Sequence, residues 1–290
     1  MLSAVGVSLR LGQREVLRSI DFQIAAGECV ALVGNNGSGK TSLLRVLAGL
    51  IEPDAGYVEV SGKALRSESD RQAWRRKIGY VGEAVGLYET LTARENLRYF
   101  GALSGIAANA LEARIANGAQ RLELTSRLDG SVASLSKGLK LRVALLRALL
   151  HEPECLLLDE PSSGLDPSAQ LFWFEFLQHE LKLGRCVVLA THDQLEVTTL
   201  AHRVGRLGPQ LHWLKAASSL SCEFADALTP EHASRLREGL GATRLRGHSA
   251  CFACADSSSA VLLLEQIKRA GLTPSAWRYG ADWSAMYDPA

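Results

Sequence analysis

The segment Gly34-Asn35-Asn36-Gly37-Ser38-Gly39-Lys40-Thr41 constrains this chain more than any other. It matches Gly-x4-Gly-Lys-Ser/Thr, and Ser42 follows it. The apolar run Cys29 to Val33 leads into it. A helical pattern from Thr41 to Leu50 leads out, with Leu43, Leu44, Leu47 and Leu50 on one face. A strand that ends in a Gly-rich turn and then opens a helix can aim backbone N–H groups at phosphate oxygens. The glycines allow the inward turn, and the helix N-terminus adds partial positive charge. Lys40 would bring a full charge to the outer phosphates of a nucleotide, and the Thr41 hydroxyl could coordinate Mg²⁺. Gly34, Asn35, Asn36, Gly37, Ser38, Gly39, Lys40, Thr41 and Ser42 are therefore the expected nucleotide-binding residues.

A second apolar run, Leu156-Leu157-Leu158, ends in Asp159-Glu160-Pro161. A buried strand delivers such acids to its C-terminal edge, where ligands bind in open α/β sheets. Asp159 would hold Mg²⁺ and Glu160 would act as general base on the attacking water. A positioned base contributes roughly 10²–10⁴-fold in rate.

The third apolar run is Val187 to Ala190. Apolar strands alternating with helices predict a parallel α/β sheet covered on both faces. Alternating runs at Ser3 to Leu9, Val16 to Ile24 and Tyr57 to Val60 predict half-buried antiparallel strands. Helical patterns span Ala93 to Arg127, interrupted near Ser104-Gly105, and Lys137 to Leu150. At roughly 150 residues per domain, 290 residues suggest about two domains. The composition shifts near Lys215, so the expected division is 1–215 and 216–290. The second part reads strand, helix, strand, strand, helix, strand, a small α+β unit of ferredoxin-like pattern.

A hydrophobic fraction of 47% and a charged fraction of 22% exclude a disordered or collagen-like chain. The net charge of +1 argues against bulk attraction to nucleic acid or acidic lipid, so no nucleic-acid partner is expected. The start, Met1 to Arg10, lacks a signal-peptide pattern, and no run approaches the roughly 20 apolar residues of a membrane span. The six cysteines, several inside apolar runs, suit a reduced intracellular chain.

A third motif, Leu135-Ser136-Lys137-Gly138-Leu139-Lys140, stands just ahead of the Asp159-Glu160 strand. It resembles the Leu-Ser-Gly-Gly-Gln signature of the ATP-binding subunit of ABC (ATP-binding cassette) transporters. The Ser-Lys-Gly form resembles the type-2 exporter subfamily. Ser163-Gly164-Leu165-Asp166 resembles the family's D-loop, and Thr191-His192-Asp193 its switch histidine. Ile78 to Glu83 resembles the Q-loop, with Glu83 where glutamine is usual. Leu87 to Leu97 resembles the opening of the helical subdomain. The resemblance covers about residues 1–215.

It implies an ABC-type P-loop ATPase cassette, with a mixed sheet core, an antiparallel β subdomain and a helical subdomain, followed by a small C-terminal α+β domain. It implies ATP and Mg²⁺ as cofactors, with Glu160 and His192 catalytic and Thr41, Glu83 and Asp159 around the metal. Ser136, Lys137 and Gly138 would meet ATP held by a second cassette, its own copy or a related one, with Asp166 at that interface. The Q-loop region would face a membrane-spanning permease, which would keep the chain on the cytoplasmic face of the membrane. The family usually places an aromatic residue at the position of Leu11 to stack on adenine, so ATP should bind more weakly here or with less base preference. Two other readings stay open: a non-transport ABC-type ATPase acting on ribosome or DNA, and a nucleotide-sensing regulatory subunit.

Weaker signals carry two readings each. His248-x2-Cys251-x2-Cys254 suits structural cysteines or a partial metal or thiol site. Arg66 to Lys77 suits a solvated helix end or a patch for acidic lipid or nucleic acid. Trp277, Trp283 and Tyr287 suit packing within the second unit or a partner contact.

Overall fold

The computed structural model of the chain describes residues 1–215, 217–254 and 257–282. Two compact units result, Met1–Leu214 and Lys215–Ala290. Trp283 and Tyr287 lie outside the described residues.

In chain order the first unit contains β1 (Leu2–Leu11), β2 (Arg14–Ile24), β3 (Cys29–Val33), α1 (Lys40–Leu47), β4 (Ala55–Val60), β5 (Lys63–Ala64), α2 (Glu68–Arg75) and β6 (Ile78–Val81). There follow α3 (Ala93–Leu103), α4 (Ala108–Arg121), α5 (Lys137–Leu149), β7 (Cys155–Asp159), α6 (Pro167–Lys182), β8 (Cys186–Ala190), α7 (Gln194–Leu200), β9 (Arg203–Leu207) and β10 (Leu211–Trp213).

Among the described residues of this unit the strands form two sheets. One runs β10-β9-β3-β8-β7-β6, parallel throughout except for the antiparallel β9–β10 hairpin. The other is the antiparallel sheet β2-β1-β4-β5. Every residue of β3, β7 and β8 is buried, which is why these strands read as unbroken apolar runs rather than as alternation. Each buried Leu or Val contributes about 1.5–3 kcal/mol of apolar burial, so the strand trio adds strongly to the stability of this unit. One core lies between the mixed and antiparallel sheets and includes Leu17, Ile20, Leu43 and Leu47. The other packs α3 to α6 on the opposite face, around Leu97, Ile115, Leu145 and Trp173.

The long helical pattern of 93–127 is two helices and a final 3₁₀ turn, Thr125–Arg127. Gly105 at φ +75° makes the break between α3 and α4. Thr92 and Glu95 form a capping box at the start of α3. The buried Asn96 pins the preceding loop: its Oδ1 accepts from Tyr88 N at 2.8 Å, and its Nδ2 donates to the carbonyls of Tyr88 and Thr92. The arginine-rich segment is the amphipathic α2, with a Ser67–Asp70 capping box and Trp74 buried.

The second unit contains β11 (Ala217–Glu223), α8 (Pro230–Ser234), β12 (Ala242–Arg246), β13 (Ser249–Ala253), α9 (Ser257–Arg269) and β14 (Ala276–Asp282). Its antiparallel sheet runs β12-β13-β11-β14, the order of a ferredoxin-like βαββαβ unit. Leu220, Cys222, Leu236, Phe252 and Ile267 form its separate core. Cys251 lies within hydrogen-bond reach of Ser221 Oγ, at 3.1 Å. Among the described residues no group of three or more His, Cys, Asp or Glu is assembled to hold a metal, at His248, Cys251 and Cys254 or elsewhere. None of the six cysteines is in a disulfide, and no described helix is long and apolar enough to cross a membrane.

Candidate nucleotide site

The order β3-β8-β7 brings three strand ends to one edge. The loop after β3 is Gly34 to Gly39, β7 ends at Asp159, and β8 is followed by Thr191 and His192. From these segments Asn36 to Ser42, Asp159, Glu160 and His192 line a cleft of about 550 Å³, together with Leu11, Arg14, Val16, Glu83 and Ser163, whereas Gly34, Asn35 and Thr191 do not line it.

The loop needs its glycines where the backbone is left-handed and crowded. Gly39 caps α1 at φ +101°, and a Cβ there would sit 3.0 Å from both Leu17 Cδ2 and Val16 Cγ1. A Cβ on Gly34 would lie 2.4 Å from the Leu207 carbonyl oxygen. Lys40 is buried at 7% exposure, and its Nζ donates to the Gly34 carbonyl at 2.8 Å. Ser38 Oγ is buried without a hydrogen-bond partner among the described residues. Such an orphan costs roughly 1–3 kcal/mol, which a ligand oxygen would relieve. The first turn of α1 contains no acidic residue to oppose an anion.

Asp159 is buried beneath this loop. Burial pushes its carboxyl up, the Thr41 hydroxyl pulls it down, and the nearby charges of Glu160 and Glu83 push it up again. Glu160 lies at the cleft with Oε1 3.8 Å from Lys40 Nζ and Oε2 2.6 Å from His192 Nδ1, whose ring N–H donates. Its backbone is left-handed at φ +50°, which costs a non-glycine residue about 1–2 kcal/mol. A bond from Glu160 N to the Ala190 carbonyl, 2.8 Å, holds it there and staples the β7 end to the β8 end.

Gly34 frames this loop, and Asn36 to Ser42, Glu83, Asp159, Glu160 and His192 all line the cleft. Ser136, Lys137, Gly138 and Asp166 do not. Ser136 caps α5 by accepting from Leu139 N, and Asp166 caps α6 by accepting from Ala169 N at 2.9 Å. These two caps are neighbours, since a Cβ on Gly164 would lie 2.9 Å from Lys137 Nζ and one on Gly138 3.2 Å from Ala169. Arg14 and Val16 join the cleft without having been singled out in the sequence. Their two-residue spacing on β2 sets them on the same face of the strand, and Arg14 Nη2 donates to the Gly37 carbonyl at 3.0 Å. Leu11 is half exposed at the cleft, and none of the described lining residues is aromatic.

The ABC transporter family model matches residues 17–163. The chain belongs to the ABC transporter family. As a member it is an ATP-binding cassette, an ATPase that drives a transporter. It is 35% identical over 242 residues to Nod factor export ATP-binding protein I of Burkholderia lata, covering 81% of this chain and 79% of that protein. Against the protein of the same description from Bradyrhizobium diazoefficiens it is 35% identical over 231 residues, 80% and 72% of the two chains. Among solved structures, the dimeric bacterial ABC transporter cassette MJ0796 matches with TM-score 0.66 and 26% identity over 73% of this chain and 97% of that one. The Clostridium perfringens cassette cbiO1, part of the ABC transporter complex cbiONQ, matches with TM-score 0.65 and 25% identity over 73% and 86%.

Proposed function

We propose that this cassette powers an exporter from the cytoplasmic face of a membrane, through a membrane-spanning permease and a second cassette bound head-to-tail. The observation that carries the reading is the placement of Glu160 between Lys40 and His192 at the cleft edge. In this reading the loop Gly34 to Ser42 cradles the phosphates, Lys40 and His192 bind the γ-phosphate, and Glu160 takes the proton of the attacking water. The likeness to Nod factor export proteins supports export, and the dimeric MJ0796 cassette supports the paired arrangement. Ser136, Lys137, Gly138 and Asp166 then serve the partner's ATP, consistent with their place outside their own cleft. The exposed rings of Tyr88 and Tyr99, packed edge-on 5.3 Å apart beside Phe100, suit docking of the permease near the Glu83 loop.

The donor set fits Mg²⁺. Thr41, Glu83 and Asp159 are hard oxygen donors, and the raised Asp159 carboxyl is an environment that a cation relieves. Bound there, Mg²⁺ would neutralise phosphate charge, with phosphate and water completing its ligands. Steady-state phosphate release by the full chain, alone and co-purified with a candidate membrane-spanning permease, tests the assignment. Hydrolysis that needs Mg²⁺ and is stimulated by the permease is expected. Absence of hydrolysis in both preparations overturns it.

Adenine has the Leu11, Arg14 and Val16 end of the cleft, where the Arg14 guanidinium offers the flat face. Arg14→Ala should weaken ATP by about 5- to 30-fold, from roughly 1–2 kcal/mol of cation–π contact. Inorganic tripolyphosphate, competing against a fluorescent nucleotide, should bind as before. A chain ending at Leu214 should bind ATP within a factor of about 2 of the full chain, because the second unit has its own core. Calorimetric titration of both chains checks this.

A further inference from the structure

Glu196 is a buried carboxylate with no part in the hydrolytic site described above. It lies in the first turn of α7 with 0% exposure. Its Oε1 accepts from Trp173 Nε1 at 2.7 Å, across from α6. Burial pushes the carboxyl up to about 7, against the pull of the Thr191, Trp173 and Ser162 donors beside it. Among the described residues, Oε2 and Ser162 Oγ are nevertheless both buried without a well-formed hydrogen bond. The cluster is assembled but slack.

Its members come from the segments that present the catalytic side chains. Thr191 immediately precedes His192. Ser162 stands two residues beyond Glu160, and its carbonyl accepts from Leu165 N in the turn toward Asp166. Trp173 lies two turns into the helix that Asp166 caps. A parallel tie joins the same two helices, Gln170 Nε2 donating to Asp193 Oδ2 at 3.2 Å.

We propose that Glu196 is a positioning residue for hydrolysis, holding the His192 segment, the Glu160 turn and α6 in one register. The proposal rests on the roles assigned above to Glu160 and His192. An ionised carboxylate accepts from the indole N–H and both hydroxyls together. Protonated, it must donate one hydrogen bond and loses an acceptor position, so the register is tighter above about pH 7. The titratable groups facing it are few among the described residues. Asp193 on its own helix start pushes its carboxyl up. Cys29 on β3 is buried alongside, and burial together with the Glu196 and Glu28 charges pushes that thiol up. The α6 and β8 neighbours, Trp173 and Thr191, and Ser162 in the turn after β7 are uncharged at neutral pH.

The test uses the full chain. The ¹⁵N–¹H resonance of the Trp173 indole, assigned by its loss in Trp173→Phe, should titrate with a midpoint near 7. It should be insensitive to pH in Glu196→Gln and still titrate in His192→Ala. Glu196→Gln should lower kcat about tenfold, with the KM for ATP unchanged within a factor of about 2, since sub-ångström misplacement of reacting groups costs rate rather than phosphate binding. Trp173→Phe should lower kcat in the same sense. An indole resonance that titrates identically in Glu196→Gln, or a wild-type kcat in that variant, overturns the proposal. Should Glu196→Gln fail to fold, a wild-type resonance that does not titrate between pH 5 and 9 overturns it as well. Failure of the hydrolytic reading looks different: Glu160→Gln would then turn over normally while the Trp173 titration stayed intact.

Discussion

Glu160→Gln lowers ATP turnover at least about 100-fold while ATP still binds. The amide keeps the shape of the carboxylate and can still accept from the His192 ring N–H, now 2.6 Å away. It cannot take a proton from water at neutral pH, so the chemical step loses its base. The left-handed backbone at residue 160 is set by the bond to Ala190 and does not depend on the side-chain charge. Removing that charge frees Lys40, whose Nζ lies 3.8 Å from Glu160 Oε1, to face phosphate alone. ATP affinity should therefore hold or rise as turnover falls. Single-turnover phosphate release and equilibrium binding, measured on the same preparation, separate the two effects. Undiminished release in the variant would remove Glu160 from the chemistry.

The parts of the site legible in the sequence are those that a short segment specifies alone. Gly34 to Thr41 was readable because the conformation depends on glycines at fixed local offsets. Asp159 and Glu160 were readable because a wholly apolar strand ending in acids is rare outside sheet edges. Contacts set by strand order were not. Glu160 and His192 are 32 residues apart, and they meet only because β7 pairs with β8. The resemblance implied that both residues are catalytic, but neither it nor the periodicity gave the strand pairing that joins them. Arg14 reads as an ordinary exposed strand residue until the Gly37 carbonyl is seen to accept from it. Glu196 reads as an acid in a helix's first turn, where a surface position is the usual expectation. Its burial under Trp173 comes from the packing of α6. That helix itself escaped pattern reading because Leu171, Phe172, Trp173, Phe174, Phe176 and Leu177 cover too much of its circumference for a clear amphipathic stripe. In the second unit the element sequence was legible, and the position of β14 beside β11 at the sheet edge required the fold.

Lys40→Ala should weaken ATP by about 10- to 150-fold, because it removes a charge-assisted contact worth roughly 1.5–3 kcal/mol. That range is a lower bound here. Lys40 Nζ lies 3.8 Å from Glu160 Oε1, and its charge also pulls the Asp159 carboxyl down, opposing Glu160 and Glu83. Without it an arriving triphosphate meets the Glu83, Asp159 and Glu160 carboxylates with one cation fewer in the cleft, so repulsion adds to the lost contact. The fold should survive, since the Lys40 side chain lines the cleft, and the only hydrogen bond of its Nζ among the described residues runs to the Gly34 carbonyl. The thermal midpoint without nucleotide should shift little, and the stabilisation that saturating ATP gives the parent should be largely lost. Tripolyphosphate separates this variant from Arg14→Ala. Lys40 acts on the phosphates, so its loss should weaken ATP and tripolyphosphate in parallel, whereas Arg14→Ala should weaken ATP alone. Parent-like affinity for both ligands in Lys40→Ala would mean that the phosphates bind somewhere other than the loop after β3.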